Sequence, residues 1–252
     1  MKKLIINALV VTVAFLLSCC KNEADLASRL WAELDLTMTP NTLAKKESEA
    51  GWQLLFDGKT TKGWHGYNMQ RIPNVWSVED GCMVVFGTGG GEEQDVITDG
   101  KYRNFAFTVE YKLSKGANSG IIFQVKEDMK YTYPYETGPE FQLIDHENWP
   151  DKLEDWQIHG ANYAMYPPKA KPYHPVGEWN RLLLVVNGNS VTQLINGVEV
   201  VRYEKYSDEW NKLRNSGKWA DFPDYGIVDE GYIALQNHGT KLWFRNIKIK
   251  NL

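Results

Sequence analysis

Two Asn-Gly dipeptides constrain this chain more than any other feature. Asn187-Gly188 and Asn196-Gly197 separate three aliphatic, β-branched runs at 181–186, 191–195 and 198–203. Asn-Gly between apolar runs suits the positive-φ positions of a tight hairpin, so the stretch predicts an antiparallel meander. Upstream, Phe105, Phe107, Val109, Tyr111 and Leu113 alternate with Thr108, Glu110 and Lys112, the pattern of a half-buried strand. Asp80-Gly81 joins 75–79 to 82–86 in the same hairpin style. Further strands are expected at 120–126, 140–145, 231–237 and 241–250. Short helices are expected at 41–50, with Asn41 as N-cap, and at 208–215, capped by Ser207. So many strands with so little helix predict an all-β fold, a two-sheet antiparallel β-sandwich of jelly-roll type with a few short helices.

The first residues read as an export signal. Lys2 and Lys3 precede an apolar run from Leu4 to Leu17, too short for a comfortable membrane span. Leu16-Leu17-Ser18-Cys19 looks like a lipobox, with Cys19 as the acylated residue of a mature lipoprotein. Residues 1–18 are therefore expected to be a signal peptide, and 19–40 a polar tether with a short helical patch at 26–36. Residues 41–252 would form one domain, exported and lipid-anchored to a bacterial membrane, on its periplasmic or its outer side. Past the signal only Cys20 and Cys82 remain, so a disulfide framework is excluded and Cys82 reads as a small core residue.

The strand faces and long loops carry the candidate chemistry. Phe141 and Leu143 oppose Glu140 and Gln142; Ile233 and Leu235 oppose Gln236 and His238; Ile121, Phe123 and Val125 oppose Gln124 and Lys126. Three strands that each pair an apolar face with amide, carboxylate or imidazole groups predict a polar sheet surface, provided they are neighbours. Stretches 129–139 and 146–180 are long, irregular and rich in rings, among them Tyr135, Trp149, Trp156 and Tyr163. Flat rings with a polar edge suit stacking on sugars, although part of such a set also serves as loop core.

Several classes are excluded or left without support. The formal net charge is −4 with no basic run, so a nucleic-acid partner is not expected. No GxSxG, HExxH, P-loop or CxxC motif occurs, and Gly87, Gly89, Gly90 and Gly91 precede no helix that could hold a phosphate. No ligand spacing supports a metal site among His65, His146, His159, His174 and His238. No cofactor is identified, and a divalent metal stays open.

Six blocks occur in a recognisable order: GWQLLFDGKTTKGWHGY (51–67), WSVEDGCM (76–83), NSGIIFQV (118–125), GPEFQLIDHEN (138–148), GEWN (177–180) and GYIALQNHGTKLWFRNIKIK (231–250). Together they resemble the bacterial 3-keto-disaccharide hydrolases over about 41–252. The resemblance implies a concanavalin A-like jelly roll and an oligosaccharide or glycoside substrate. It implies chemistry in which a C3 ketone acidifies the C2 proton, a base removes it, the glycosidic oxygen leaves by β-elimination and water adds. Such a site needs a base, an acid and a donor to the enolate oxygen. Glu140, His238 and His146 are the titratable candidates in the matching blocks, with Asp145 as a possible orienting group or a strand end. Gln124, Gln142, Gln236, Tyr135, Tyr163 and Trp156 are the candidate sugar contacts. A non-catalytic carbohydrate-binding lipoprotein and an envelope protein whose rings are all core are the competing classes.

Overall fold

A computed structural model describes residues 26–87 and 94–252. The signal segment with Cys19, and the glycines at 89–91, lie outside the described residues. Hairpin chemistry builds the larger sheet. β9 (Trp179–Asn187), β10 (Ser190–Ile195) and β11 (Val198–Glu204) form the expected meander. Asn196 and Gly197, at φ 48° and 83°, make the second turn, and Asp80 and Gly81, at 49° and 73°, make the turn between β3 (Trp76–Glu79) and β4 (Cys82–Phe86). The order of this sheet is β11-β10-β9-β6-β13-β4-β3, with β6 at Phe105–Leu113, β13 at Lys241–Asn251 and the short β1 (Gln53–Leu54) on β13.

The smaller sheet runs β2-β5-β12-β7-β8. Its strands are β2 (Trp64–Gly66), β5 (Val96–Thr98), β12 (Tyr232–Leu235), β7 (Asn118–Val125) and β8 (Glu140–Ile144). Phe105, Phe107, Val109, Tyr111, Leu182 and Leu184 of the large sheet pack against Ile121, Phe123, Phe141, Leu143, Ile233 and Leu235 of the small one. The two apolar faces thus close one inter-sheet core, and the jelly-roll reading holds.

Period-2 reasoning fails at one residue of β7. Gln124 adopts φ 53°, and the β7–β12 register slips between Tyr232 and Ala234. This bulge turns Val125 to the outer side with Ile122, away from Ile121 and Phe123. The Gln124 side chain is buried: its Nε2 donates to the Asp229 carbonyl at 2.7 Å, and its Oε1 accepts from Lys205 Nζ at 2.9 Å. Lys205 is itself buried, which brings its pKa down to about 8 despite the Asp229 charge.

Residues 26–40 are not a free tether. Helix 26–33 (α1) lays Ala27, Leu30 and Leu34 with Trp52 on the outer face of the large sheet, against Ala106, Leu183, Val185 and Leu194. Those four sheet residues alternate with core positions, so without this cover the large sheet would expose an apolar face. The expected helix at 41–50 contracts to α2 (Lys45–Glu49), with Ala44 rather than Asn41 at its N-cap. Asn41, at φ 60°, instead donates to the Gly81 carbonyl and accepts from Asn246 N, both at 2.7 Å. Between α2 and the sheet, Glu47 and Lys248 form a fully buried ion pair at 2.6 Å. Helix α3 (Asp208–Arg214) starts as expected, with Ser207 Oγ accepting from Trp210 N at 3.2 Å.

Candidate functional site

Sheet order brings the three polar strands together. β8, β7 and β12 are neighbours, and Gln142 lies opposite Gly120, whose carbonyl accepts from Gln236 N at 3.0 Å. Two amide side chains therefore flank a glycine across three strands, roughly 10 Å apart at ordinary strand spacing. Gly120 leaves a trough between them, and Glu140 leans into it. A Cβ at Gly120 would stand 2.4 Å from Glu140 Oε1. The glycine is needed for that close approach, since its φ is one that any residue adopts. Gly120→Ala is expected to displace the Glu140 carboxyl and to lower turnover on any substrate handled there by about 100-fold, the scale of ångström-level misplacement. Steady-state kinetics beside a thermal melt would check this; unchanged turnover would remove Glu140 from the site.

Glu140 is buried, and among the described residues no hydrogen bond or ion pair reaches its carboxyl group. Its main chain is well held, the carbonyl accepting from Tyr163 N at 3.0 Å and from Asn162 Nδ2 at 3.2 Å. Burial pushes the Glu140 carboxyl up to about 7, partly offset by the positive charge of Lys218. A carboxyl group poised near neutrality in a cleft is equipped for proton transfer.

The loops wall this trough. Pro134–Glu136 forms a single 3-10 turn that stacks Tyr133 on Tyr135 at 5.0 Å. Asp95, Tyr133, Tyr135, Gln236, Asn237 and His238 line a cavity of about 170 Å³. It adjoins a second of about 220 Å³ through the shared Asp95 and Tyr133. Burial, then neighbouring Tyr133 and the charges of Glu136, Asp95 and Glu140, raises the Tyr135 hydroxyl to about 12. His238 is exposed at the rim, its ring edge-on to Trp149 at 6.3 Å. The amide oxygens of Gln142 and Gln236 are buried and, among the described residues, unpartnered. They are acceptors without donors, a gap that a polyhydroxylated ligand fills.

Glu140, Gln142, Gln236, Tyr135 and His238 thus share one face of the small sheet, and Tyr163 borders it. Trp156 is more peripheral, 37% exposed and edge-on to Tyr163 at 5.9 Å. Gln124 does not belong: the bulge spends both ends of its amide on the interior. His146 does not belong either. It lies beyond the far end of β8, about 13 Å of strand from Glu140 to Ile144, in a separate cavity of about 160 Å³ with His159, Tyr173 and His174. Its Nε2 meets Tyr173 Oη at 3.1 Å, and burial, with Lys171 second, lowers its pKa. Asp145 ends its strand, accepting from Gly116 N at 2.7 Å and from Asn148, and orients no histidine.

The remaining histidines are likewise accounted for. His159 Nδ1 accepts from Ile144 N and its Nε2 meets Tyr111 Oη, so the ring is assigned as the neutral Nε2–H form. Burial, then the nearby His146, takes its pKa down to about 3. His65 pairs with Asp99 at 2.6 Å. Among the described residues, no three His, Cys, Asp or Glu side chains come together as a metal cage.

Sequence reasoning missed the segment after α3. Gly217–Asp221 forms a 3-10 helix that buries Trp219 on Tyr225 at 3.7 Å and brings Lys218 over the cleft. The only signal was composition, three aromatic residues within 217–226, and nothing local says which sheet they face.

A jelly-roll sandwich with a ring-lined cleft, a buried unpaired carboxyl group and open amide acceptors is the layout of an enzyme acting on carbohydrate-like ligands. The model of one protein family, the 3-keto-alpha-glucoside-1,2-lyase-like domain, matches residues 51–250. A 3-keto-disaccharide hydrolase of Bacteroides thetaiotaomicron is 36% identical over 228 residues, covering 80% of this chain and 79% of that one. The chain belongs to this family of hydrolases. A crystal structure from Parabacteroides distasonis, described as a candidate glycosyl hydrolase, is 40% identical with a TM-score of 0.80, covering 85% of this chain and 100% of that one. Another of the same description and organism, 23% identical with a TM-score of 0.58, covers 87% of this chain and 92% of that one and shares the fold.

Proposed function

We propose that this chain cleaves 3-keto-glycosides, with Glu140 as the base that takes the C2 proton. The observation that carries the reading is the Glu140 carboxyl itself, buried, unpaired and poised near neutrality in a trough that a glycine keeps open. In the ionised form it accepts the C2 proton, and the C2–H electrons pass through C3 to the ketone oxygen as an enolate. Collapse of the enolate expels the C1 oxygen, which takes up a proton to leave as an alcohol. His238, solvent-connected on the cleft rim, is the group we assign to deliver that proton. Water then adds at C1, with a proton returning to C2, so the net change is hydrolysis. Gln142 and Gln236 accept hydrogen bonds from sugar hydroxyls through their open amide oxygens, and Tyr133 and Tyr135 offer ring faces.

Purified protein given p-nitrophenyl 3-keto-glucoside and the parent glucoside is expected to release nitrophenol from the keto sugar alone. Release from both at equal rates would mean conventional glycoside hydrolysis, and release from neither would leave a binding module. We also propose that the chain is exported and acylated at Cys19. In sequence Cys19 precedes α1, which packs on the outer face of the large sheet, whereas the cleft lies on the smaller sheet. Loss of fatty-acid labelling in Cys19→Ala is the expected result.

A further inference from the structure

Resting on the 3-keto-glycoside reading above, we propose that Lys218 is the catalytic cation that holds the enolate oxygen across the cleft from Glu140. Lys218 is exposed as a residue, and its ammonium lies over three rings, 4.3 Å from the centre of Tyr135, 4.7 Å from Tyr163 and 4.8 Å from Trp219. Among the described residues it makes no hydrogen bond and no ion pair. Among the described residues, Glu140 is the one charge that bears on it, and it is the one charge that bears on Glu140.

A buried carboxyl group and an ammonium held over rings influence one another, yet stay more than a salt-bridge length apart. A pair evolved only for stability would close that gap or pair elsewhere, because an unpaired buried carboxylate is costly. In a 3-keto sugar the proton to be removed sits on C2 and the charge that forms sits on the oxygen of the adjacent C3. A base and a cation on opposite sides of that C2–C3 unit match the charge that develops in the transition state. The ring faces have a second consequence. Burial lowers the Lys218 pKa, but aromatic quadrupoles favour the charged ammonium, so Lys218 serves as a fixed cation and not as a proton donor. No bond to Lys218 forms or breaks; its charge stabilises the enolate oxygen until the C1–O bond breaks and the ketone re-forms.

A substrate without a leaving group isolates this role. 1,5-Anhydro-3-keto-glucitol has the C2 proton and the C3 ketone but nothing to expel at C1, so deuterium uptake at C2 in D2O reports enolate formation alone. Wild type is expected to exchange C2 and to cleave p-nitrophenyl 3-keto-glucoside. Lys218→Met should lower kcat for exchange and for cleavage by the same factor, roughly 100- to 1,000-fold, with KM little changed and circular dichroism preserved. Lys218→Arg, which keeps the charge, should recover part of the loss, and Lys218→Gln should not. Exchange retained while cleavage falls would place Lys218 at the leaving group and overturn the proposal, as would variants at wild-type rates. A wild type that cleaves the keto sugar but does not exchange would overturn the enolate role while leaving 3-keto-glycoside cleavage itself in place. A wild type that does neither would overturn the parent reading and this one together.

Discussion

Glu140→Gln is expected to lower turnover of a 3-keto-glycoside by at least about 100-fold, the usual scale of general acid–base catalysis, while making the protein more stable above neutrality. Both effects have one cause. The buried carboxyl titrates near 7 in the folded chain, against an ordinary value of 4.5. A folded-state value above the unfolded one favours the acid form, so the stability it lends is full below about pH 4.5. That stability is lost as pH rises through about 7. The shift corresponds to roughly 3 kcal/mol at most. Gln mimics the neutral acid, so the variant should match wild type at pH 4 and exceed it at pH 8.5 by up to that amount. Urea melts at the two pH values check the stability half. In wild type, kcat/KM should rise with pH and level off above about 7, as the base ionises. A variant no more stable than wild type at pH 8.5, or a flat wild-type rate profile from pH 5.5 to 8, would show that Glu140 is not the poised group.

Lys248→Met should destabilise the fold by about 3–5 kcal/mol, the usual cost of stranding one partner of a buried ion pair. Lys248 Nζ reaches both Glu47 oxygens, at 2.8 and 2.6 Å. The same carboxylate accepts from Asp35 N at 3.0 Å and Ala44 N at 2.8 Å. Glu47 therefore fastens the end of the α1 segment, the start of α2 and β13 at one point. Burial alone would raise its pKa, but the Lys248 hydrogen bonds and the two backbone donors outweigh that and hold it below the usual carboxylate value. A depressed folded-state value means stability present at neutral pH and lost as pH falls below about 4.5, opposite in sign to Glu140. Glu47→Leu combined with Lys248→Met should recover much of the loss, because an apolar pair leaves no stranded charge. The pair lies on the face of the sandwich away from the cleft, so the folded fraction of each variant should keep its kcat. A melting temperature lowered by less than about 3 °C in Lys248→Met would sink this account, since each kcal/mol moves a domain of this size by roughly 2–4 °C.

Much of the architecture was legible because its causes are local. Two-residue turns at Asp80-Gly81 and Asn196-Gly197 need positive φ, which Gly and Asn supply at low cost, and they fix where each hairpin reverses. Alternation from Phe105 to Leu113 named a core face that is buried throughout. Glu140, Gln142, Gln236 and His238 could be named as outward groups because side chains alternate along any strand. The same rule misplaced Val125 and Gln124, since a bulge depends on the partner strand and not on the residues that form it. It also could not show that residues 26–36 cover the large sheet, because an amphipathic helix reads alike over water and over a sheet.

The sequence by itself determined an antiparallel sandwich, its turns, its core faces and the outward identity of the site residues, since turn chemistry and period-2 burial act between near neighbours along the chain. Only the tertiary structure decided that β8, β7 and β12 lie side by side, that Gly120 opens the trough, that Glu140 stays unpaired among the described residues and that Lys218 lies near it. Strand order, burial and the absence of a partner are set by segments up to about a hundred residues apart, such as 118–125 and 217–226. No local pattern can carry such long-range juxtapositions, because they exist only once the chain has closed on itself.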